Sequence, residues 1–132
     1  HGNRLYAKSS GPRQESTFYR INGTTLSAES RCPEGYRLRP HVVWFGEEVP
    51  ELDNAAKIIS DADILIVIGT SLQVYPATNL IHFAKKDSLK FVIDPKADEM
   101  ILPIGFKAIN SSAVLGVELV ISDIKKALNQ ND

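Results

Sequence analysis

Cysteine is almost absent from this sequence, and its scarcity narrows the possible architectures. Among 132 residues only Cys32 is a cysteine, so no disulfide can form within the chain. A structural zinc site normally takes four ligands, and one cysteine cannot supply them. We therefore expect no bound zinc, and a reducing, cytoplasmic location fits this composition best.

Long apolar runs and an excess of one charge are also missing. The longest strongly apolar run covers residues 64–68, far short of the roughly 20 residues that span a bilayer. Fifteen basic residues nearly balance sixteen acidic ones, so the chain has no strong net field to attract a polyanion. We expect neither a membrane nor a nucleic acid as the primary partner.

The first 38 residues show no sustained apolar period. They are rich in Ser, Thr, Gly and Arg, which predicts loops with short strands at 5–7 and 18–21. The composition changes at Arg39, where bulky and β-branched residues begin. This change predicts a boundary near Leu38, with a loop-rich part over 1–38 and a second part over 39–132.

The second part alternates helical and strand patterns. Apolar side chains at helical spacing predict helices over 51–61, 76–86 and 117–129. Buried β-branched runs predict strands at 63–68, 91–93 and 107–109, with 41–45 as a further extended segment. The order α-β-α-β-β-α is typical of one half of a doubly wound, Rossmann-like parallel sheet in the α/β class. We expect the strand at 63–68 to lie in the middle of that sheet.

Polar residues follow two of these predicted strands, where ligands bind in open parallel sheets. Gly69 would let the backbone approach a phosphate, and the hydroxyls of Thr70 and Ser71 would add hydrogen-bond donors. The alternative is a turn held by a hydroxyl–backbone hydrogen bond. Asp94 could accept hydrogen bonds from ribose hydroxyls, or it could be a turn aspartate before Pro95.

A third candidate segment combines large aromatic side chains with a carboxylate. Trp44, Phe45, Gly46 and Glu47 are consecutive, a composition that suits an apolar groove with one polar contact. The alternative is that both aromatic side chains belong to the core.

Two long runs resemble consecutive motifs of the sirtuin family. The runs are Arg-Pro-His-Val-Val-Trp-Phe-Gly-Glu at 39–47 and Ile-Gly-Thr-Ser-Leu-Gln-Val-Tyr-Pro-Ala at 68–77. The pair His1-Gly2 is similar to the sirtuin His-Gly pair, and Ser112-Ala113 is similar to a late segment that contacts adenine. The resemblance covers 39–129 well and 1–38 poorly.

The resemblance implies a Rossmann domain with a smaller inserted lobe, of which residues 1–38 would be a remnant. It also implies an NAD-dependent protein-lysine deacylase that releases nicotinamide and O-acyl-ADP-ribose, with acetyl-lysine as the family default. His1 would be the general base, whereas His41 and His82 would be structural or surface residues. The cofactor-binding residues would be Gly69, Thr70, Ser71, Asp94, Pro95, Lys96 and Ala113. The groove for an extended acyl-lysine peptide would be lined by Val43, Trp44, Phe45, Gly46, Glu47, Val74, Tyr75 and Pro76.

Two departures from the family pattern qualify this expectation. The zinc knuckle of two Cys-x-x-Cys pairs is reduced to Cys32, which resembles the zinc-free sirtuins of some bacteria. No Gly-Ala-Gly loop and no Gln-Asn-x-Asp segment occurs, so we expect a missing amino-terminal half of the domain as a partner. Two alternatives remain: a non-catalytic module that binds ADP-ribose or an acyl peptide, and the central domain of a thiamine-diphosphate enzyme. The last gives no reason for the segment 44–47.

Overall fold

The computed structural model describes residues 1–12 and 17–129. The chain divides into two compact units, His1–Pro50 and Glu51–Asp132. The predicted boundary near Leu38 lies earlier than this division, because the strand that begins at Leu38 pairs with the first strand of the chain. Residues 39–50 therefore pack with the first unit, and the predicted assignment of 1–38 and 39–132 to separate domains stays a prediction.

The first unit is built on an antiparallel sheet. Its strands are β1 (Gly2–Ser9), β2 (Tyr19–Arg20) and β3 (Leu38–Val42), in the order β2-β1-β3. The predicted strand at 5–7 is the middle of the longer β1, and the extended segment predicted at 41–45 lies earlier, in β3. The prediction missed these lengths because pairing with a distant segment, rather than local pattern, determines them.

Cys32 lies in a tight turn of this unit. Its N–H donates to the Tyr36 carbonyl at 2.8 Å, and its own carbonyl accepts from the Gly35 N–H at 2.9 Å. The Ser9 hydroxyl donates to the Cys32 sulfur at 3.4 Å, and the thiol is buried. Cys32 therefore joins the turn to β1 as a small buried side chain.

The second unit is an α/β unit with a parallel sheet. In chain order it contains α1 (Leu52–Asp61), β4 (Ile64–Ile68), β5 (Leu89–Asp94), β6 (Phe106–Asn110) and α2 (Ala113–Asn129), with 3₁₀ segments at Ala77–Phe83 and Ala97–Glu99. The sheet order is β4-β5-β6. The expectation that 63–68 lies in the middle is wrong for this sheet, because β5 is its central strand.

The core of this unit lies between the sheet and α2. The buried side chains are those of Phe91, Ile93, Ile109 and Val120, with Leu89, Val117 and Ile124 packed against them. Alternate residues of β5 face α2, as the period of two in a strand requires. The helix predicted at 117–129 begins earlier, at Ala113. Its apolar side chains at Val117, Val120 and Ile124 pack on the sheet, whereas those of Ile121 and Leu128 are 46% and 59% exposed.

The helix predicted at 76–86 is instead a 3₁₀ segment at Ala77–Phe83. Its backbone makes the shorter i to i+3 hydrogen bonds, from Asn79 N–H to the Pro76 carbonyl at 3.1 Å and from Ala84 N–H to the Ile81 carbonyl at 3.4 Å. Ala84 is extended, so the segment ends before the predicted limit. Ile81 is the buried residue of this segment.

Candidate functional site

The first predicted site residue, His1, is tied to the segment that follows β3. Gly2 pairs with Val42, and the Val43 N–H donates to the His1 carbonyl at 2.9 Å. Gly2 has a φ of 92°, and a Cβ at this position would overlap the His41 carbonyl oxygen. A glycine is therefore required where β1 begins, directly beside His1. The His1 side chain is exposed.

The aromatic segment at 43–47 forms a turn rather than part of a core. The Glu47 N–H donates to the Trp44 carbonyl at 3.1 Å, and Gly46 has a φ of 87°. Trp44 is 55% exposed and Phe45 is 92% exposed. The core alternative for these two side chains is therefore wrong, and the turn presents both of them at the surface.

The carboxylate of Glu47 stabilises this turn through two hydrogen bonds. Glu47 accepts from Arg39 Nη2 at 2.6 Å and from the Trp44 backbone N–H at 3.2 Å. The hydrogen bond from Arg39 lowers the pKa of Glu47 below its ordinary value, and the bond from the Trp44 N–H lowers it further. Both bonds favour the ionised carboxylate, so Glu47 holds the turn as an anion at neutral pH.

In the second unit, the loop after β4 begins with a glycine in a left-handed conformation. Gly69 has a φ of 64°, and a Cβ built there would meet open space. Its N–H donates to the Ile93 carbonyl at 2.9 Å, which ties the loop to β5. Thr70 Oγ1 accepts from the Leu72 N–H at 3.2 Å. The hydroxyl-held turn is therefore present at Thr70, and its hydroxyl proton stays available for another partner.

Asp94 ends β5 and also forms a turn. Its Oδ1 accepts from the Lys96 N–H at 2.9 Å, as expected for a turn aspartate before Pro95. Its backbone carbonyl accepts from the Ser111 N–H at 3.3 Å, which joins the end of β5 to the start of α2. A carboxylate accepts several hydrogen bonds, so this turn is compatible with a ligand contact.

The two strand ends share an open cleft of about 510 Å³. Three of the predicted cofactor residues, Ser71, Asp94 and Lys96, line it. The other lining residues, which were not predicted, are Leu72, Gln73, Glu99, Met100 and Ile101. Leu72 and Gln73 lie within the run at 68–77, whereas Glu99, Met100 and Ile101 had no signal in the sequence beyond following a predicted strand. The predicted cofactor residues Gly69, Thr70, Pro95 and Ala113 are not part of this lining, and Ala113 is the first residue of α2.

The remaining predicted groove residues lie in the loop before the 3₁₀ segment. Val74 is 48% exposed and Tyr75 is 71% exposed, and a cis peptide bond joins Tyr75 to Pro76. The Val74 carbonyl accepts from the Thr78 N–H at 3.0 Å, and the Thr78 hydroxyl donates to the Leu72 carbonyl at 2.6 Å. Thr78 therefore fixes the loop at two points and leaves the Val74 and Tyr75 side chains open to solvent.

Over 1–12 and 17–129, no group of three or more His, Cys, Asp or Glu side chains is arranged to hold a metal ion. Within the part of the chain that the structure describes, no helix has the length and apolar character to cross a bilayer.

The parallel sheet, its flanking helices and the cleft beyond its strand ends define a Rossmann-like α/β protein. Its fold matches a Sir2 homologue in complex with ADP-ribose, with a TM-score of 0.76 at 27% identity, covering 98% of this chain and 52% of that chain. A Sir2 homologue in complex with NAD matches with a TM-score of 0.73 at 26% identity, covering 97% and 50%.

The sequence comparisons agree with the structural ones. The pattern of the Sir2 family matches residues 1–76. An NAD-dependent protein deacylase of Deinococcus radiodurans is 35% identical over 126 residues, covering 93% of this chain and 50% of that protein. One from Helicobacter pylori strain J99 is 53% identical over 78 residues, covering 59% and 33%. This chain therefore belongs to the Sir2 family, and it spans half or less of the length of these relatives.

Proposed function

We propose that this chain is part of an NAD-dependent protein-lysine deacylase that acts on acetyl-lysine. The observation that carries the proposal is the hydrogen bond of 2.9 Å from the Val43 N–H to the His1 carbonyl. It joins the proposed general base to the first residue of the proposed acyl-lysine segment. The names of the relatives support the same activity. A cytoplasmic location is part of this proposal.

The residues of the second unit fit NAD. Gly69 leaves open space where any other residue would place a Cβ, which suits close approach of a phosphate to the backbone. Ser71, Asp94 and Lys96 line one cleft beyond the carboxyl ends of β4 and β5, where hydroxyl, carboxylate and ammonium groups can bind ribose and phosphate oxygens. In the proposed assignment Thr70 and Pro95 flank these contacts, and Ala113 adjoins the adenine. NAD, when bound, supplies a ribose carbon that loses nicotinamide and accepts the acyl oxygen.

The residues of the first unit would bind the acyl-lysine and move the proton. The exposed His1 imidazole can accept a proton at a ring nitrogen, as a general base does. Trp44 and Phe45 would surround the apolar lysine stem and exclude water from it. The backbone of 43–47 would pair with an extended peptide, as in strand addition.

A second candidate is a non-catalytic module that binds ADP-ribose or an acyl peptide. It is favoured by the cleft that Ser71, Asp94 and Lys96 line, because binding of ADP-ribose there would not need the base assigned to His1.

The test begins with the intact mass of the purified protein, followed by nicotinamide release from NAD in the presence of an acetyl-lysine peptide. We expect His1→Ala to abolish turnover while binding of ADP-ribose, measured by calorimetry, is retained. His82→Ala is the matched control, because His82 is also exposed and is assigned no role. Full activity of His1→Ala would contradict the deacylase assignment. A mass near 14.6 kDa with ADP-ribose binding but no turnover would favour the binding module.

A further inference from the structure

The turn at 43–47 has an exposed tip and a single internal support. Phe45 at the tip is 92% exposed, so core packing does not determine its position. The bond between the Glu47 N–H and the Trp44 carbonyl closes the turn at 3.1 Å. Gly46, with a φ of 87°, adds no side chain to stiffen it. The position of the tip therefore depends on what holds Trp44 and Glu47.

Arg39 provides that support from within β3. Its Nη2 donates to Glu47 Oε1 at 2.6 Å, and the other carboxylate oxygen accepts from the Trp44 backbone N–H at 3.2 Å. The guanidinium carbon of Arg39 also lies 5.1 Å from the centroid of the Trp44 ring, within the range of a cation–π interaction. One side chain thus contacts both ends of the turn.

The chemistry of the contact makes arginine hard to replace. A guanidinium is planar, so it can donate in its plane to a carboxylate and present its face to an indole ring at the same time. A lysine ammonium carries the same charge but has no plane to stack. The Arg39 side chain is only 18% exposed, and that of Glu47 is 35% exposed, so solvent screens this pair less than it screens an open surface pair.

We propose that Arg39 is a positioning residue that acts through Glu47 and Trp44 to hold Phe45 where an acyl-lysine peptide binds. This inference rests on the proposed function, because the peptide is its substrate. Arg39 itself does not touch the reacting atoms. The strand that carries Arg39 leads to Val43, whose N–H donates to the His1 carbonyl at 2.9 Å.

Trp44 allows the proposal to be tested without turnover, because it is the single tryptophan of the chain. Its fluorescence therefore reports on the turn alone. The variants are Arg39→Met, which keeps an apolar stem, Arg39→Lys, which keeps the charge, and Glu47→Gln, which keeps the shape. The matched control is Arg31→Met, since Arg31 pairs at 3.8 Å with a Glu29 whose side chain is 81% exposed.

Three quantities are measured on folded protein, as verified by circular dichroism: acrylamide quenching of Trp44, the Kd for an acetyl-lysine peptide, and the Kd for ADP-ribose. For Arg39→Met and Glu47→Gln we expect stronger quenching and a peptide Kd raised on the order of tenfold. The ADP-ribose Kd should stay unchanged. Arg39→Lys should fall between Arg39→Met and the wild type, and Arg31→Met should match the wild type.

The outcomes separate this inference from the function on which it rests. A wild-type protein that binds ADP-ribose but no acyl peptide would refute the proposed deacylase and, with it, the substrate role of Arg39. If the wild type binds the peptide, unchanged quenching or an unchanged peptide Kd in both Arg39→Met and Glu47→Gln would overturn the positioning role. Equal weakening of peptide and ADP-ribose binding would also overturn it, because that result indicates a general loss of structure.

Discussion

The contact between α2 and β5 predicts an unusual response to a glycine substitution. Gly116 is a buried residue near the start of α2. A Cβ built on it would overlap Ile93 Cγ2 and lie 3.4 Å from both Cβ and Cγ1 of the same side chain. Ile93 is 1% exposed and belongs to the core cluster, so it has little room to move. We expect Gly116→Ala to destabilise the fold, although alanine is the better helix former.

The magnitude follows from two opposing effects. Overpacking a core costs typically about 1–3 kcal/mol, and a direct overlap with a buried branched side chain belongs at the upper end. The gain in helix propensity from glycine to alanine is about 1 kcal/mol. The net loss in the free energy of unfolding is therefore about 2 kcal/mol. With a urea m-value of about 2 kcal/mol/M for a chain of this size, the unfolding midpoint should fall by about 1 M.

Urea unfolding followed by circular dichroism measures this change. Ser122→Ala, at an exposed position of α2, is the control and should shift stability by no more than about 0.5 kcal/mol. Ile93→Ala should cost about 2–5 kcal/mol by itself. The double variant should be more stable than the sum of the two single changes predicts, because the new methyl group enters the space that Ile93 vacates. A stabilised Gly116→Ala, or strict additivity in the double variant, would refute the reasoning.

Three further predictions concern the first unit and the edge of the parallel sheet. Gly2→Ala should lower stability by about 1–3 kcal/mol and abolish turnover in the nicotinamide assay, because its Cβ would overlap the His41 carbonyl. Gly23→Ala is the control and should retain activity, since Gly23 has a similar φ of 86° but open space around it. Glu47 should make the free energy of unfolding depend on pH at the acid end. Its pKa is lowered in the folded state, so the stability that Glu47 contributes is complete above the ordinary pKa of 4.5 and is lost as pH falls through the folded pKa. The free energy of unfolding of Glu47→Gln should therefore depend less on pH across that window than that of the wild type. An unchanged pH dependence would contradict this. Finally, β4 has one edge without a pairing strand in the described residues, and its Ile66 is 38% exposed. The isolated chain should therefore self-associate in sedimentation velocity, and Ile66→Lys should reduce this association. A monodisperse wild-type monomer would show the prediction to be wrong.

Local patterns in the sequence were sufficient for most of the second unit. The helical spacing at 51–61 predicted α1, which begins one residue later, and the apolar runs predicted β4, β5 and β6 within two residues at each end. These elements are predictable because their apolar period is present in consecutive residues. The expected burial does not hold for all of them, since α1 has no buried residue and the side chains of Ile64, Ile66 and Ile68 in β4 are 38–44% exposed. The seven-residue 3₁₀ segment was not, since its tighter turn depends on Thr78 and on the contact of this segment with α1.

For the candidate site, too, part was predictable from the sequence and part depended on the tertiary structure. The sequence by itself determined the family, through the runs at 39–47 and 68–77, and it indicated that polar residues follow β4 and β5. Only the tertiary structure decided that Ser71 and Asp94 line one cleft and that Glu99 joins them. The reason is that the carboxyl ends of neighbouring parallel strands meet in space although the residues lie far apart in the chain.

The first unit depended most on tertiary structure. Its sequence has no period, so the pairing of β1 with β3 and the bond between Val43 and His1 could not be derived from local pattern. The same holds for the pair of Arg39 with Glu47, which requires the backbone to reverse between them. The composition determined which chemical groups are present, and the tertiary fold, which brings distant segments of the chain together, determined which of them act together.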